Sequence, residues 1–138
     1  MVVVDTNIIS YLYLPTEFTK YSEALLQIDS VWSAPIFWRS EFRNVLALYL
    51  RKNVIDLSTA LEIQEQAEQL LSGNEYQVNS NTVLVLAHQS QCAAYDCEFI
   101  ALARSFNKKL ITTDKKLIKD FPSDTITAKD FVSNKNKF

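Results

Sequence analysis

Four acidic residues stand where ordinary surface solvation does not account for them: Asp5, Glu41, Asp96 and Asp114. Asp5 closes the apolar run MVVV and Asp114 closes KLITT, so each follows a segment that reads as a strand. Glu41 lies in RSEFRNVLALYL, four and seven residues before Val45 and Leu48. Asp96 lies in AAYDCEFIALA, in step with Phe99, Ile100 and Ala103, whereas Glu98 points to the other side and reads as a surface charge. On helices those spacings put Glu41 and Asp96 on apolar faces. Removing an unpaired carboxylate from water costs several kcal/mol, against a domain stability of about 5 to 15 kcal/mol. A buried arginine is one compensation, with Arg39, Arg43 and Arg104 available. A divalent cation is the other, because carboxylates converging on one point repel each other unless a positive charge sits among them. Asp5 and Asp114 have a third explanation as helix N-caps, worth about 1 kcal/mol each. Oxygen ligands suit Mg²⁺ or Mn²⁺ rather than Zn²⁺. His88, Cys92 and Asp96 stand at steps of four. They would make a zinc face only on one continuous helix, and a helix break is expected near Gln91 to Ala93.

The elements that must carry these acids alternate. MVVV is a strand of the kind buried on both faces of a parallel sheet. Residues 6 to 14 read as a helix up to Pro15, followed by a second helix over about 16 to 28. SVWSA at 30–34 is a strand before Pro35, and Ile36 to Lys52 a long helix. Asp56 or Ser58 starts another helix, with Leu57, Leu61, Leu70 and Leu71 on its apolar side and Gly73 at its end. EYQV, KLITT and TITA are further strands, with helices over 81–90, 94–106 and KKLIKDF, the last ended by Pro122. The pattern predicts a single domain over 1–138, an α/β three-layer sandwich with a central, mostly parallel sheet flanked by helices and a loose tail from about 133. Such sheets bind ligands beyond the carboxyl ends of their strands, which is where Asp5 and Asp114 fall.

Composition narrows the function classes. With 14 basic and 16 acidic residues the formal charge is -2, so any nucleic-acid contact has to be local. A single glycine, Gly73, is too few for a phosphate-cradling Walker loop or a dinucleotide fold. Cys92 and Cys97 are too few and too close for a disulfide framework and read as buried free thiols. The N-terminal apolar run breaks at Asp5, so neither a signal peptide nor a membrane span is expected, and a cytoplasmic location is.

DTN after the first strand, the glutamate of SEFRNVL, the aspartate of YDCEFIALA and TTD after a late strand together resemble the PIN domain. Their order and spacing are most similar to the small bacterial VapC-type toxins, over essentially the whole chain. The resemblance implies that Asp5, Glu41, Asp96 and Asp114 form an acidic site holding one or two Mg²⁺ or Mn²⁺, with Asn7 and Thr112 in supporting polar roles. It implies an endoribonuclease that cuts structured tRNA or rRNA loops, leaving a 5′ phosphate and a 3′ hydroxyl. No histidine base is required, in keeping with the one histidine of the chain. Two departures stand out. Many relatives carry an acid two positions after the last aspartate, where this chain has Lys116, and an alanine after the third acid, where it has Cys97.

Arg39 and Arg43 beside Glu41, and Lys115 and Lys116 after Asp114, are the bases placed to meet RNA phosphates; their alternative is a solvated helix face. The segment FRNVLALYL at 42–50 is apolar around most of its circumference, more than one core face requires, so part of it is expected to meet another chain. The resemblance supplies two partners, a second copy (a homodimer) and a small antitoxin lying over the acidic site. Trp32, Phe37 and Trp38 either line such a groove or belong to the core. A catalytically idle PIN-like module that binds protein or RNA through the same groove is the alternative to the enzyme. A haloacid-dehalogenase-type phosphatase is set aside, because its second aspartate is replaced by Asn7.

Overall fold

The computed structural model describes residues 1–135. Five short strands form one all-parallel sheet: β1 (Val2–Val4), β2 (Trp32–Pro35), β3 (Glu75–Tyr76), β4 (Leu110–Ile111) and β5 (Thr125–Ile126), in the order β3-β2-β1-β4-β5. Val3 and Val4 of the central strand are fully buried. That is why β1 is an unbroken β-branched run rather than an alternating one. The chain steps outward from β1 to β3, then returns to the far side of β1 as β4 and continues to β5. The carboxyl edge between β1 and β4 is therefore the switch point, the crevice where open α/β sheets offer room for a ligand.

Helices α1 (Thr6–Tyr13) and α2 (Thr19–Ile28) connect β1 to β2, and α3 (Trp38–Arg51) and α4 (Leu57–Leu70) connect β2 to β3. Helices α5 (Ser80–His88) and α6 (Ala94–Ser105) lead to β4, α7 (Lys115–Asp120) leads to β5, and α8 (Ala128–Lys135) follows. Helices α1 and α2, α3 and α4, and α5 and α6 pack as pairs, and α1 also packs on α3. Helix α6 packs on β1, β2 and β4, while α8 packs on α2. The expected architecture is the observed one.

Several local expectations need correction. The second helix starts at Thr19 rather than 16, because Thr16 and Thr19 close a turn in which Thr16 N–H donates to Thr19 Oγ1 at 2.9 Å. Residues 133–135 are the last turn of α8 rather than the start of a loose tail; the remainder of that tail lies outside the described residues. Leu57 and Leu61 are exposed, because α4 packs inward through Ala60 and Ala67 instead. Trp32 and Trp38 are wholly buried and do not line a groove. Helix α5 ends at His88, which is exposed, and α6 begins at Ala94, so no helix carries His88, Cys92 and Asp96 together. Both cysteines are free and buried. Among the described residues no helix is long and apolar enough to cross a membrane.

Candidate active site

Asp5 leaves β1 at the switch point and serves as the N-cap of α1, with its Oδ1 accepting from Thr6 N–H at 2.8 Å. Its other oxygen, Oδ2, accepts from the Thr112 hydroxyl at 2.7 Å. Thr112 sits one residue beyond β4, fully buried, and its Oγ1 also accepts the Asp114 N–H at 3.0 Å. One hydroxyl thus ties the acids of the two central strands together. Asp114 is the N-cap of α7, its Oδ1 accepting from Lys116 N–H at 2.9 Å and Leu117 N–H at 3.1 Å. Capping holds for both aspartates and does not compete with a site role, since each cap fixes where a carboxylate stands.

Glu41 projects from the first turn of α3, half-buried, and its Oε1 accepts from Thr6 Oγ1 at 2.7 Å. Thr6, 5% exposed, therefore holds Asp5 with its backbone and Glu41 with its side chain. Sequence reasoning passes over it, because a threonine after a cap reads as an ordinary first helical residue. Asp96 rises from the first turn of α6, beside Tyr95, whose exposed ring stacks on Phe37 at 5.3 Å. Glu98 is half-buried rather than a free surface charge.

The electrostatics show that these acids share one neighbourhood. Burial first, then the charges of Glu41 and Asp114, push Asp5 up to about 7 despite its hydrogen bonds from Thr112 and Thr6. Burial raises Glu41, and the charges of Asp96, Glu98 and Asp114 raise it further, against the Thr6 hydrogen bond. Asp96 is raised by burial and by Asp114, with Lys116 pulling the other way. Among the described residues none of the four acids has a salt-bridge partner. Arg104 is taken by Asp124, and Arg39 is clasped by Glu75, with its Nε and Nη2 each 2.6 Å from a carboxylate oxygen, and by Glu68 at 2.9 Å. The buried-arginine explanation is overturned, and Arg39 is turned to the α4 and β3 side instead of standing free for phosphate. Arg43, Lys115 and Lys116 are exposed.

Oxygen donors without a compensating base suit a hard divalent cation. Asn7 adds a further donor, since its buried Oδ1 accepts no hydrogen bond among the described residues. No three acidic, histidine or cysteine side chains among the described residues converge closely enough to enclose a cation as they stand. The reason is visible in the hydrogen bonds. Asp5, Glu41 and Asp114 have each turned an oxygen onto a protein donor, which eases the repulsion of like charges.

The sequence profile of the PIN domain matches residues 2–121. Ribonuclease VapC3 of Pyrobaculum aerophilum is 27% identical over 125 residues, covering 88% of this chain and 95% of the relative. Among solved structures, a toxin-antitoxin complex from Klebsiella pneumoniae superposes with a TM-score of 0.68 at 16% identity, over 93% of this chain and 98% of the other. FitAcB from Neisseria gonorrhoeae gives a TM-score of 0.69 at 18% identity, with the same coverage of 93% and 98%. At those identities the structures speak for the fold, and the profile, which spans most of the chain, speaks for the family. This chain belongs to the PIN-domain family.

Proposed function

We propose that the protein is a Mg²⁺- or Mn²⁺-dependent endoribonuclease, the toxin of a toxin-antitoxin pair, acting on tRNA or rRNA. The observation that carries the reading is the set of Asp5, Glu41, Asp96 and Asp114, brought from four separate elements to one sheet edge with no basic partner among the described residues. The names of the relatives, a ribonuclease and toxin-antitoxin complexes, support it. When bound, the cation acidifies water and offsets the negative charge that develops at phosphorus. Asp5, Glu41, Asp96 and Asp114 are the residues that would hold it. Thr112 and Thr6 donate to the Asp5 and Glu41 carboxylates and keep them beside the proposed site. Lys115 and Lys116, at the start of α7, and Arg43, two residues after Glu41, are placed to meet phosphates of the strand.

The protein partners follow from exposed apolar residues. Leu48 on α3 is 45% exposed, and Val54, Leu57 and Leu61 at the α3–α4 turn and along α4 are each more than 60% exposed. Exposed apolar side chains on these two packed helices support pairing with a second copy or with the antitoxin. The test is expression with and without the adjacent small reading frame, followed by mapping of RNA ends. Growth arrest relieved by the neighbour, with new 5′-phosphate ends in one RNA class, is the expected result. Undisturbed growth and unchanged RNA would contradict the proposal.

A further inference from the structure

Beside the acidic site, at the same edge of the sheet, lies a pocket of about 220 Å³ whose walls include Tyr11, Phe18, Tyr21, Thr113, Thr127 and Lys129. Its place follows from the register. Val4 is level with Ile111 on one side of β4, and Ile111 with Ile126 on the other. The next residue of each strand is Asp5, Thr112 and Thr127, and the row is held by Asp5 N–H to Ile111 O at 2.9 Å and Thr112 N–H to Ile126 O at 3.0 Å. With neighbouring strands about 4.8 Å apart, Thr127 stands roughly 10 Å from Asp5 along the edge. Thr113, between Thr112 and Asp114, forms part of the pocket wall and exchanges a hydrogen bond with Tyr11 Oη at 2.9 Å.

Three aromatic rings, those of Tyr11, Phe18 and Tyr21, line the pocket over a floor that includes Ile8 and Ala128. Tyr11 and Phe18 lie with ring centroids 5.1 Å apart, tilted by 33°, and Phe18 is 37% exposed in the turn before α2. Lys20 stands 5.2 Å over the Tyr21 ring, and Lys129 is exposed. A π-face for stacking, hydroxyls for base edges and cations for the adjoining phosphate are the features by which proteins take an unstacked base from single-stranded RNA.

We infer that this pocket is a base-binding subsite, seating the base of a nucleotide that flanks the phosphate lying over Asp5 and Asp114. The inference rests on the ribonuclease reading for its substrate, and its test does not. Metal-free ¹⁵N-labelled protein, held in EDTA, is titrated separately with AMP, CMP, GMP, UMP and inorganic phosphate while amide shifts are followed. Saturable shifts of Thr113, Thr127 and Lys129 by at least one nucleotide, absent with inorganic phosphate and lost in Phe18→Ala, are expected. In cleavage of a single-stranded oligonucleotide, Phe18→Ala should lower kcat/KM by about 5- to 150-fold, the range for losing one base stack, with Mn²⁺ affinity unchanged. Equal shifts with inorganic phosphate, nucleotide shifts confined to other residues, or shifts produced only by the antitoxin would each overturn the subsite. If the wild-type protein cleaves no RNA yet the nucleotide shifts occur, the ribonuclease reading fails and the base site stands.

Discussion

Two clusters of acids meet opposite sides of the same helical turn, and they have opposite fates. Arg39 and Glu41 are two residues apart at the start of α3. On one side, Arg39 clasps Glu75 of β3 and Glu68 of α4, and Trp38 Nε1–H also donates to Glu75 at 2.8 Å. Burial would raise Glu75, but the hydrogen bonds and charge of Arg39 outweigh it and leave its carboxyl below the ordinary glutamate range. On the other side, Glu41 has the Thr6 hydroxyl and no basic partner among the described residues, and burial first, then the charges of Asp96, Glu98 and Asp114, raises its carboxyl. The first group is a closed structural joint that anchors α3, whose own N-cap residue, Phe37, makes no side-chain cap bond. The second is an open account of negative charge, and that imbalance is what the metal-site reading explains.

The largest way to sharpen the contrast is through pH. Asp5 binds its proton up to about pH 7 in the folded state and to about 3.8 when unfolded. Between those values the folded state holds more protons at this group, so the contribution of Asp5 to stability is greatest below pH 4 and falls as pH rises toward 7, by on the order of 4 kcal/mol. In EDTA, Asp5→Asn should flatten that slope and leave the variant more heat-stable than the wild type at pH 8. Melting curves across pH 4–8 check this, and an unchanged slope in the variant would break the comparison. Mn²⁺ should recover the lost stability of the wild type only.

At the clasp the opposite behaviour is expected. Arg39→Ala strands Glu75, whose side chain is 11% exposed, and should cost about 2 kcal/mol in denaturant unfolding at neutral pH. Stability equal to wild type would show that the joint does not anchor α3. Smaller again is the effect of Lys116→Glu, which puts an acid where the family resemblance implies one and removes the charge that lowers Asp96. It should lower the melting temperature slightly in EDTA and raise Mn²⁺ affinity severalfold by calorimetric titration. Unchanged Mn²⁺ binding would place Lys116 outside the cation's reach.

What was legible in the sequence divides along the same physical lines. The buried run Val2–Val4 and the shared face of Asp96 with Phe99, Ile100 and Ala103 announce themselves, because periodicity fixes which face a residue takes. Glu41, by contrast, shares its expected face with the exposed Leu48, and α3 packs through Trp38, Phe42 and Leu46 instead. Asp5 and Asp114 remained ambiguous alone, since a cap and a ligand occupy the same place after a strand. Partners distant in sequence were not legible. Thr6 meets Glu41 across 35 positions and Arg39 meets Glu75 across 36, and nothing local encodes either pairing. Leu57 and Leu61 misled because a leucine stripe and a core face usually coincide, whereas α4 approaches the core through alanines. Helix α8 was missed because AKDFVSNK is short and mostly polar, and its docking on α2 gives it a place.

The most direct test of the central claim is cleavage of total cellular RNA by the purified chain in Mg²⁺ or Mn²⁺, in EDTA, and with Asp96→Asn under the same conditions. Discrete new RNA ends are expected with either cation, none in EDTA and none with the variant, while the variant's circular dichroism stays that of the wild type. Cleavage that persists in EDTA, or full cation-dependent activity in Asp96→Asn, would contradict the claim.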